Sequence, residues 1–178
     1  INNELFKNYW PASIHLIGKD ILRFHAVYWP AFLLAAKIDL PLRIYGHGWI
    51  LSGDEKMSKS KGNILGPLEI IKKYGIDELR YYLMKEVSHG SDGKISLKSL
   101  ENCINSDLAN NYGNLCQRVF SFIKNNCKNN VSKTQNISNS DKKLIEQTKV
   151  LTKDLKNYIN NQNLNNYIKS VINISFLT

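Results

Sequence analysis

Three lysines within six residues, in Lys56-Met57-Ser58-Lys59-Ser60-Lys61, can close together on a polyanion. Ammonium groups set where charge grows on a departing pyrophosphate lower the barrier to its departure. Gly53 and Gly62 flank the run, and residues without a Cβ absorb backbone rotations that others resist. A segment hinged in this way can deliver its charges during the reaction and withdraw afterwards. The plainer reading of a short Lys/Ser run is a solvated basic turn.

The elements around that run have to bring it to a nucleotide. Residues 10 to 18, Trp-Pro-Ala-Ser-Ile-His-Leu-Ile-Gly, read as a buried strand that ends on glycine. Lys19 and Asp20 follow at once, and residues 21 to 28 read as a helix. The carboxyl end of a strand in an α/β sheet is where nucleotides bind, so Gly18, Lys19 and Asp20 are set to meet a ribose or a phosphate. An N-cap is the alternative for Asp20. Phe24, His25, Tyr28 and Trp29 fall at helical spacing before Pro30; such a stripe is either core or the wall of a pocket. Residues 43 to 50 read as a second strand that feeds into the lysine run, with Gly46 and Gly48 around His47. Glycine there marks either a close approach of ligand or backbone, or a bulge.

Gly66-Pro67 opens a helix to Tyr74 that Gly75 closes, and a second helix is expected over residues 77 to 87. Ser96 caps a long helix to about Asn126, its apolar side at Leu100, Ile104, Leu108, Tyr112, Leu115, Val119 and Phe122. Beside that side run Asn111, Asn114, Arg118, Ser121 and Asn125, amides and a guanidinium suited to unpaired base edges, or else a solvated face. Ser140 is expected to cap the next helix, and a last amphipathic segment starts near Leu164, so the second half reads as an antiparallel bundle.

The 178 residues carry a net charge of +9, with +6 on residues 98 to 178 and +3 before them, which favours a nucleic-acid partner for the second half. Cys103, Cys116 and Cys127 are odd in number and widely spaced, which argues against a zinc site or a disulfide framework and for a reducing cytoplasm or organelle matrix. No apolar run reaches the length of a membrane span.

With those residues on the page, the chain resembles the methionyl-tRNA synthetases, members of the class I aminoacyl-tRNA synthetases. The resemblance is carried by His15-Leu16-Ile17-Gly18-Lys19-Asp20-Ile21, Phe24-His25, Tyr28-Trp29-Pro30-Ala31, His47-Gly48-Trp49 and the lysine run with Gly62-Asn63. Further matches are Tyr74-Gly75, Leu79-Arg80-Tyr81, Asp92-Gly93, Asn105-Ser106-Asp107-Leu108-Ala109-Asn110 and Gly113-Asn114-Leu115. It implies an α/β fold, the second half of a Rossmann-type catalytic domain over residues 1–65. A stem-contact region over 66–97 and an incomplete α-helical anticodon-binding domain over 98–178 would follow. The implied activity is ATP-dependent joining of methionine to its tRNA through methionyl-adenylate. ATP with Mg2+, methionine and the methionine tRNA would be its substrates and partners, without a metal site in this chain. Lys59 assisted by Lys56 would act on the ATP phosphates, Gly18, Asp20, His47 and Trp49 would hold ATP, Phe24 and His25 would border the methionine, and Asn114 and Arg118 would read the anticodon. The family's His-Ile-Gly-His signature, its zinc-bearing insertion and its anticodon-stacking tryptophan have no counterpart in these residues. The resemblance therefore implies a piece of a longer protein, expected to be inactive alone. The competing readings are a tRNA-binding module without catalysis and another class I synthetase, such as those for leucine or valine.

Overall fold

The computed structural model describes residues 4–52, 55–56, 66–131, 133 and 136–177. After a short helix α1 (Glu4–Tyr9), strand β1 (His15–Gly18) runs parallel to β2 (Ile44–His47), in a register that pairs His15 with Ile44 and Gly18 with His47. The crossover between them is helical from Lys19 to Ala35. It opens with a 3-10 turn, Lys19–Ile21, whose N-cap is Gly18, so Asp20 is not the cap but lies inside the first turn. A carboxylate there faces the positive end of the helix. The helix continues through Pro30. Because proline has no N–H to give to the preceding turn, the ladder slips: the Trp29 N–H reaches Phe24 O, closing a wider π turn over Phe24–Tyr28 before α2 (Trp29–Ala35) resumes ordinary spacing. Turns of this kind recur at functional sites.

The single strand expected over residues 43 to 50 is two strands in two sheets. Strand β3 (Ile50–Ser52) pairs antiparallel with β4 (Glu55–Lys56) and parallel with β5 (Gly93–Ile95). Gly48 stands at the break because another backbone presses on it: a Cβ there would sit 2.0 Å from Ser91 O and 2.7 Å from Asp92 N. Of the readings open for these glycines, backbone contact holds at Gly48, whereas a Cβ at Gly46 would meet only ordinary contacts at 3.6 Å and beyond. Gly48→Ala is therefore expected to destabilise the full-length protein by about 1 to 3 kcal/mol, the usual cost of overpacking. A lowered urea midpoint would show it, and an unchanged midpoint would mean that the Ser91 turn gives way freely.

Helices α3 (Pro67–Tyr74) and α4 (Ile76–Glu86) start and stop where Gly66-Pro67 and Gly75 direct, with Gly75 at φ +105°. Ile70, Leu79, Tyr82, Ile95, Leu100 and Cys103 form the buried core between α3, α4, β5 and α5 (Leu97–Cys103). Ser96 caps α5 through a reciprocal box with Ser99, and the Tyr82 hydroxyl accepts the Ser96 N–H at 3.0 Å. The helix then runs unbroken to Asn126, but through π turns over Ile104–Gly113 before α6 (Asn114–Asn126). Turns that close five residues back take more residues per revolution. The apolar side projected from regular spacing consequently fails beyond them: Tyr112, Val119 and Phe122 are exposed while Asp107 is buried.

Helix α7 (Asn139–Thr152) is capped by Ser138, not Ser140. Asp141 stands three residues after Ser138 and closes a capping box with it, donor and acceptor satisfied on both sides. A turn at residues 153–154 separates α8 (Leu155–Asn160), and α9 (Leu164–Ser175) packs on α4, α7, α8 and the π segment. The corner between α8 and α9 is held to β2. Arg43 donates to Asn160 O and, at 3.0 Å, to Gln162 Oε1, and the Tyr45 ring lies against His89, whose Nδ1 faces Gln162 O at 3.3 Å. Among the described residues no helix is long and apolar enough to cross a membrane.

Candidate active site and helix face

The parallel pairing of β1 with β2 brings Gly18 opposite His47 at their carboxyl ends. A Cβ on Gly18 would lie 2.5 Å from Asp20 Oδ1 and 3.9 Å from His47 Cε1, so Gly18, Asp20 and His47 are neighbours around one small hollow that only glycine leaves open. His47 Nδ1 lies 2.9 Å from Gly48 O. A carbonyl only accepts, so that nitrogen carries the proton and Nε2 is left as an acceptor. Lys19 is committed elsewhere. Its Nζ lies 2.5 Å from Asp92 Oδ1 and 4.2 Å from the centre of the Trp49 ring. Asp92 also accepts the Trp49 N–H at 2.8 Å, and the Lys19 hydrogen bond, helped by that N–H, holds its carboxyl below the usual carboxylate value. Trp49 is thus fixed beside the rim through its backbone and its ring.

Behind the rim, the first turns of the crossover helix and β1 flank an open hollow of about 730 Å³ lined by Ile14, His15, Phe24, His25, Tyr28 and Trp29, among others. Its walls are almost wholly apolar or aromatic. His25 donates from Nδ1 to Ile21 O at 3.0 Å, which leaves Nε2 as an acceptor. His15 Nδ1 is buried and has no hydrogen-bond partner among the described residues. Among the described residues the aromatic stripe at Phe24, His25, Tyr28 and Trp29 lines this hollow rather than packed core. Spacing alone could not tell the two apart, because the cover that would make it core has to come from another segment.

On the helix face, Asn114 and Arg118 are exposed and line, with Asn110, Asn111, Leu115 and Ser175, a second cavity of about 420 Å³ between α6 and the end of α9. Asn114 Nδ2 donates to Asn110 O at 2.9 Å, which orients its amide. The buried Asn111 Nδ2 has no partner among the described residues. Ser121 and Asn125 continue the exposed stripe.

Sequence spacing gave no sign of the cluster behind this face. Asp107 is 6% exposed and accepts from Tyr81 at 2.7 Å, Ser106 at 2.8 Å and Lys85 at 2.5 Å. Burial works to raise its pKa, yet the Lys85 hydrogen bond and the two hydroxyls outweigh it and hold the carboxyl below the usual value. Burial is the largest influence on Lys85 and opposes its charge, but the bond to Asp107 and the surrounding negative groups together outweigh it and the ammonium is stabilised. Burial first, and then the Asp107 charge, push the Tyr81 phenol far up. The neighbouring Cys103 thiol is pushed up to about 11, chiefly by burial, and is inert as a nucleophile at neutral pH. The Lys19–Asp92 pair was equally hidden, since its partners lie in separate stretches of sequence. In the lysine run, Lys56 lies in β4 opposite Leu51; residues 57 to 65, Lys59 among them, lie outside the described residues.

The description of tRNA synthetases class I (M) fits residues 1–120. A methionine–tRNA ligase from Brucella suis is 51% identical over 139 residues, which are 78% of this chain and 27% of that protein. One from Mycobacterium leprae is 41% identical over 170 residues, 96% of this chain and 32% of that protein. In three dimensions, the Mycobacterium tuberculosis methionyl-tRNA synthetase in complex with methionyl-adenylate matches with a TM-score of 0.93 at 40% identity, over 99% of this chain and 35% of that one. The chain spans about a quarter to a third of the length of these curated relatives. The methionine branch is favoured over leucine or valine because the matched stretch includes Gly18-Lys19-Asp20-Ile21 and Phe24-His25, the residues that build the rim and the cavity. The chain belongs to the methionyl-tRNA synthetase family of class I tRNA synthetases.

Proposed function

We propose that this chain serves, within a full-length methionyl-tRNA synthetase, in the ATP-dependent attachment of methionine to its tRNA. A carboxylate oxygen of methionine attacks the α-phosphorus of ATP and pyrophosphate leaves; a hydroxyl of the 3′-terminal adenosine of the tRNA then takes the methionyl group and AMP leaves. The observation that carries this reading is the adjacency of a polar, glycine-walled rim to an apolar cavity on one crossover helix. An adenosine against Gly18, Asp20, His47 and Trp49 and a thioether chain against Phe24 and His25 would bring the two reacting groups together. The M. tuberculosis relative, named for its complex with methionyl-adenylate, lends support. Lys19 is held by Asp92 and Trp49; Lys59 assisted by Lys56 would act on the ATP phosphates, as the resemblance of the lysine run implies. Mg2+ would come with the ATP, since this ion is commonly held by phosphate oxygens with one or two carboxylates; among the described residues no group of three or more potential ligands forms a metal site.

The same reading assigns residues 1–65 to the second half of a Rossmann-type domain, 66–97 to a stem-contact region and 98–178 to a helical anticodon-binding domain, with Asn114 and Arg118 on the bases. Pyrophosphate exchange by the full-length protein tests the rim and the cavity separately. Phe24→Ala is expected to raise KM for methionine about tenfold, the scale of lost apolar pocket contacts, with KM for ATP unchanged. Asp20→Ala should raise KM for ATP and leave methionine alone. A rise in the other substrate's KM for either variant would overturn the assignment.

A further inference from the structure

Three strand ends meet at one carboxylate. Lys19 follows Gly18 at the end of β1, Trp49 stands two residues after the end of β2, and Asp92 directly precedes β5. Asp92 is 73 residues from Lys19 and 43 from Trp49 in sequence, yet its Oδ1 accepts from the Lys19 ammonium at 2.5 Å and from the Trp49 N–H at 2.8 Å. The Trp49 carbonyl in turn accepts the Gly93 N–H at 2.8 Å. Both backbone polar groups of Trp49 are thus held by the turn that leads into β5, and the Lys19 ammonium, 4.2 Å from the centre of the indole ring, restrains the ring as well. Strands β1 and β2 form one sheet and β5 belongs to the other, so Asp92 links the two sheets. The Lys19 and Asp92 side chains are 40% and 30% exposed, and ion pairs at such exposure add little to stability. What the pair fixes is position: one oxygen sets both the tryptophan and the cation beside the rim where Gly18, Asp20 and His47 meet.

Resting on the proposed reading of the rim as the adenosine site, we propose that Asp92 is a positioning residue for ATP, fixing Trp49 directly and Lys19 beside it so that the rim is already shaped when the nucleotide arrives. It touches no reacting atom. Preorganisation of this kind removes ordering that binding would otherwise have to bring about. None of Lys19, Trp49 and Asp92 lines the apolar hollow at Phe24 and His25, so the effect falls on ATP and not on methionine. Asp92 lies within residues 66–97, the stretch that the same reading gives to stem contact, and this carboxylate adds a nucleotide role to that stretch. The alternative is that Asp92 serves only to seat β5 on β3.

The test uses the full-length protein, with pyrophosphate exchange at varied ATP and varied methionine and a melting curve for Asp92→Ala, Asp92→Asn, Lys19→Met and the combination of the last two. Asp92→Ala is expected to raise KM for ATP about tenfold, the effect of one lost charge-assisted hydrogen bond. KM for methionine should stay unchanged. Asp92→Asn keeps an acceptor for the Trp49 N–H but loses the charge that holds Lys19, so its rise should be smaller, about threefold, with an unchanged melting curve. Lys19→Met should match it, and the combination should be no worse than either alone, because both remove the same pair. Additive losses would show that the two residues act apart and would overturn the proposal. A KM for ATP that falls in Asp92→Asn would overturn it too, since Lys19, once released, would then be reaching the phosphates. An unchanged KM for ATP in Asp92→Ala, whatever the melting point, would reduce Asp92 to seating β5, and a rise for both substrates with a lowered melting point would mark a general loss of structure and count against positioning. These outcomes bear on Asp92 alone when Asp20→Ala raises KM for ATP; if Asp20→Ala does not, the rim reading itself fails and the assignment of Asp92 with it.

Discussion

In the full-length synthetase, Lys59→Ala is expected to slow methionyl-adenylate formation about a hundredfold to a thousandfold, the loss usual when one preorganised charge-stabilising donor is removed. KM for methionine should barely move. The apolar cavity at Phe24 and His25 lies at the start of the crossover helix, whereas the lysine run follows β3 and opens with Lys56 in β4. On the proposed reading, the lysines respond to charge developing on pyrophosphate, and their contribution would belong to the transition state and not to the ground state. Lys56→Ala should have a smaller effect of the same kind, because its backbone is paired within the sheet and it comes first in the run. Single-turnover pyrophosphate exchange separates these terms. A large rise in KM for methionine at unchanged turnover would falsify the assignment.

Asp107→Ala should cost about 3 to 5 kcal/mol of stability, the range found when one partner of a buried ion pair is removed. The variant strands the Lys85 ammonium, whose side chain is only 22% exposed, and leaves the Tyr81 and Ser106 hydroxyls without their acceptor. The carboxylate joins α4 to the π segment, so its loss loosens the base of the helix that continues into α6 as well. Acid should mimic the substitution. The folded-state pKa of Asp107 lies below its ordinary value of 3.8, so the pair's contribution is complete above that value and is lost as the pH falls through the depressed one. Melting temperature against pH should accordingly drop more steeply below about pH 4 in the parent than in Asp107→Ala. Parallel curves would show that Asp107 is not the group responsible.

Elements with local punctuation were legible in the sequence. Gly66-Pro67, Gly75 and Ser96 mark helix ends through their own backbone chemistry: α3 begins and ends at those marks, and α4 and α5 begin directly after them. What escaped depends on partners distant in sequence. The three-residue strand β5 exists because β3 offers it a ladder, and Gly93-Lys94-Ile95 by itself carries no strand pattern. The split at Gly48 depends on Ser91 pressing against it. The π turns at Phe24–Tyr28 and Ile104–Gly113 change the period on which face assignments rest, so regular spacing places Phe122 on an apolar side that the structure leaves exposed. Ser138 and Ser140 are equally good caps by type, and only the box with Asp141 decides between them. For the site, Gly18, Asp20, Phe24, His25 and His47 were legible because each sits at a strand end or on a helix start. His15 as cavity wall and Asp92 as the anchor of Lys19 were not.

Strand β3 meets β5 in parallel, Ile50 opposite Gly93 and Ser52 opposite Ile95. Everything from the lysine run through α3 and α4 therefore lies inside one closed crossover. Helices form from local contacts in microseconds or less, whereas a ladder between distant residues waits on the entropy of closing the chain between them. In folding, α3 and α4 are expected to pack first and β5 to zip onto β3 afterwards. The strand that leads into the lysine run then acquires its second neighbour late, and a phosphate role proposed for that run would become available only after that closure.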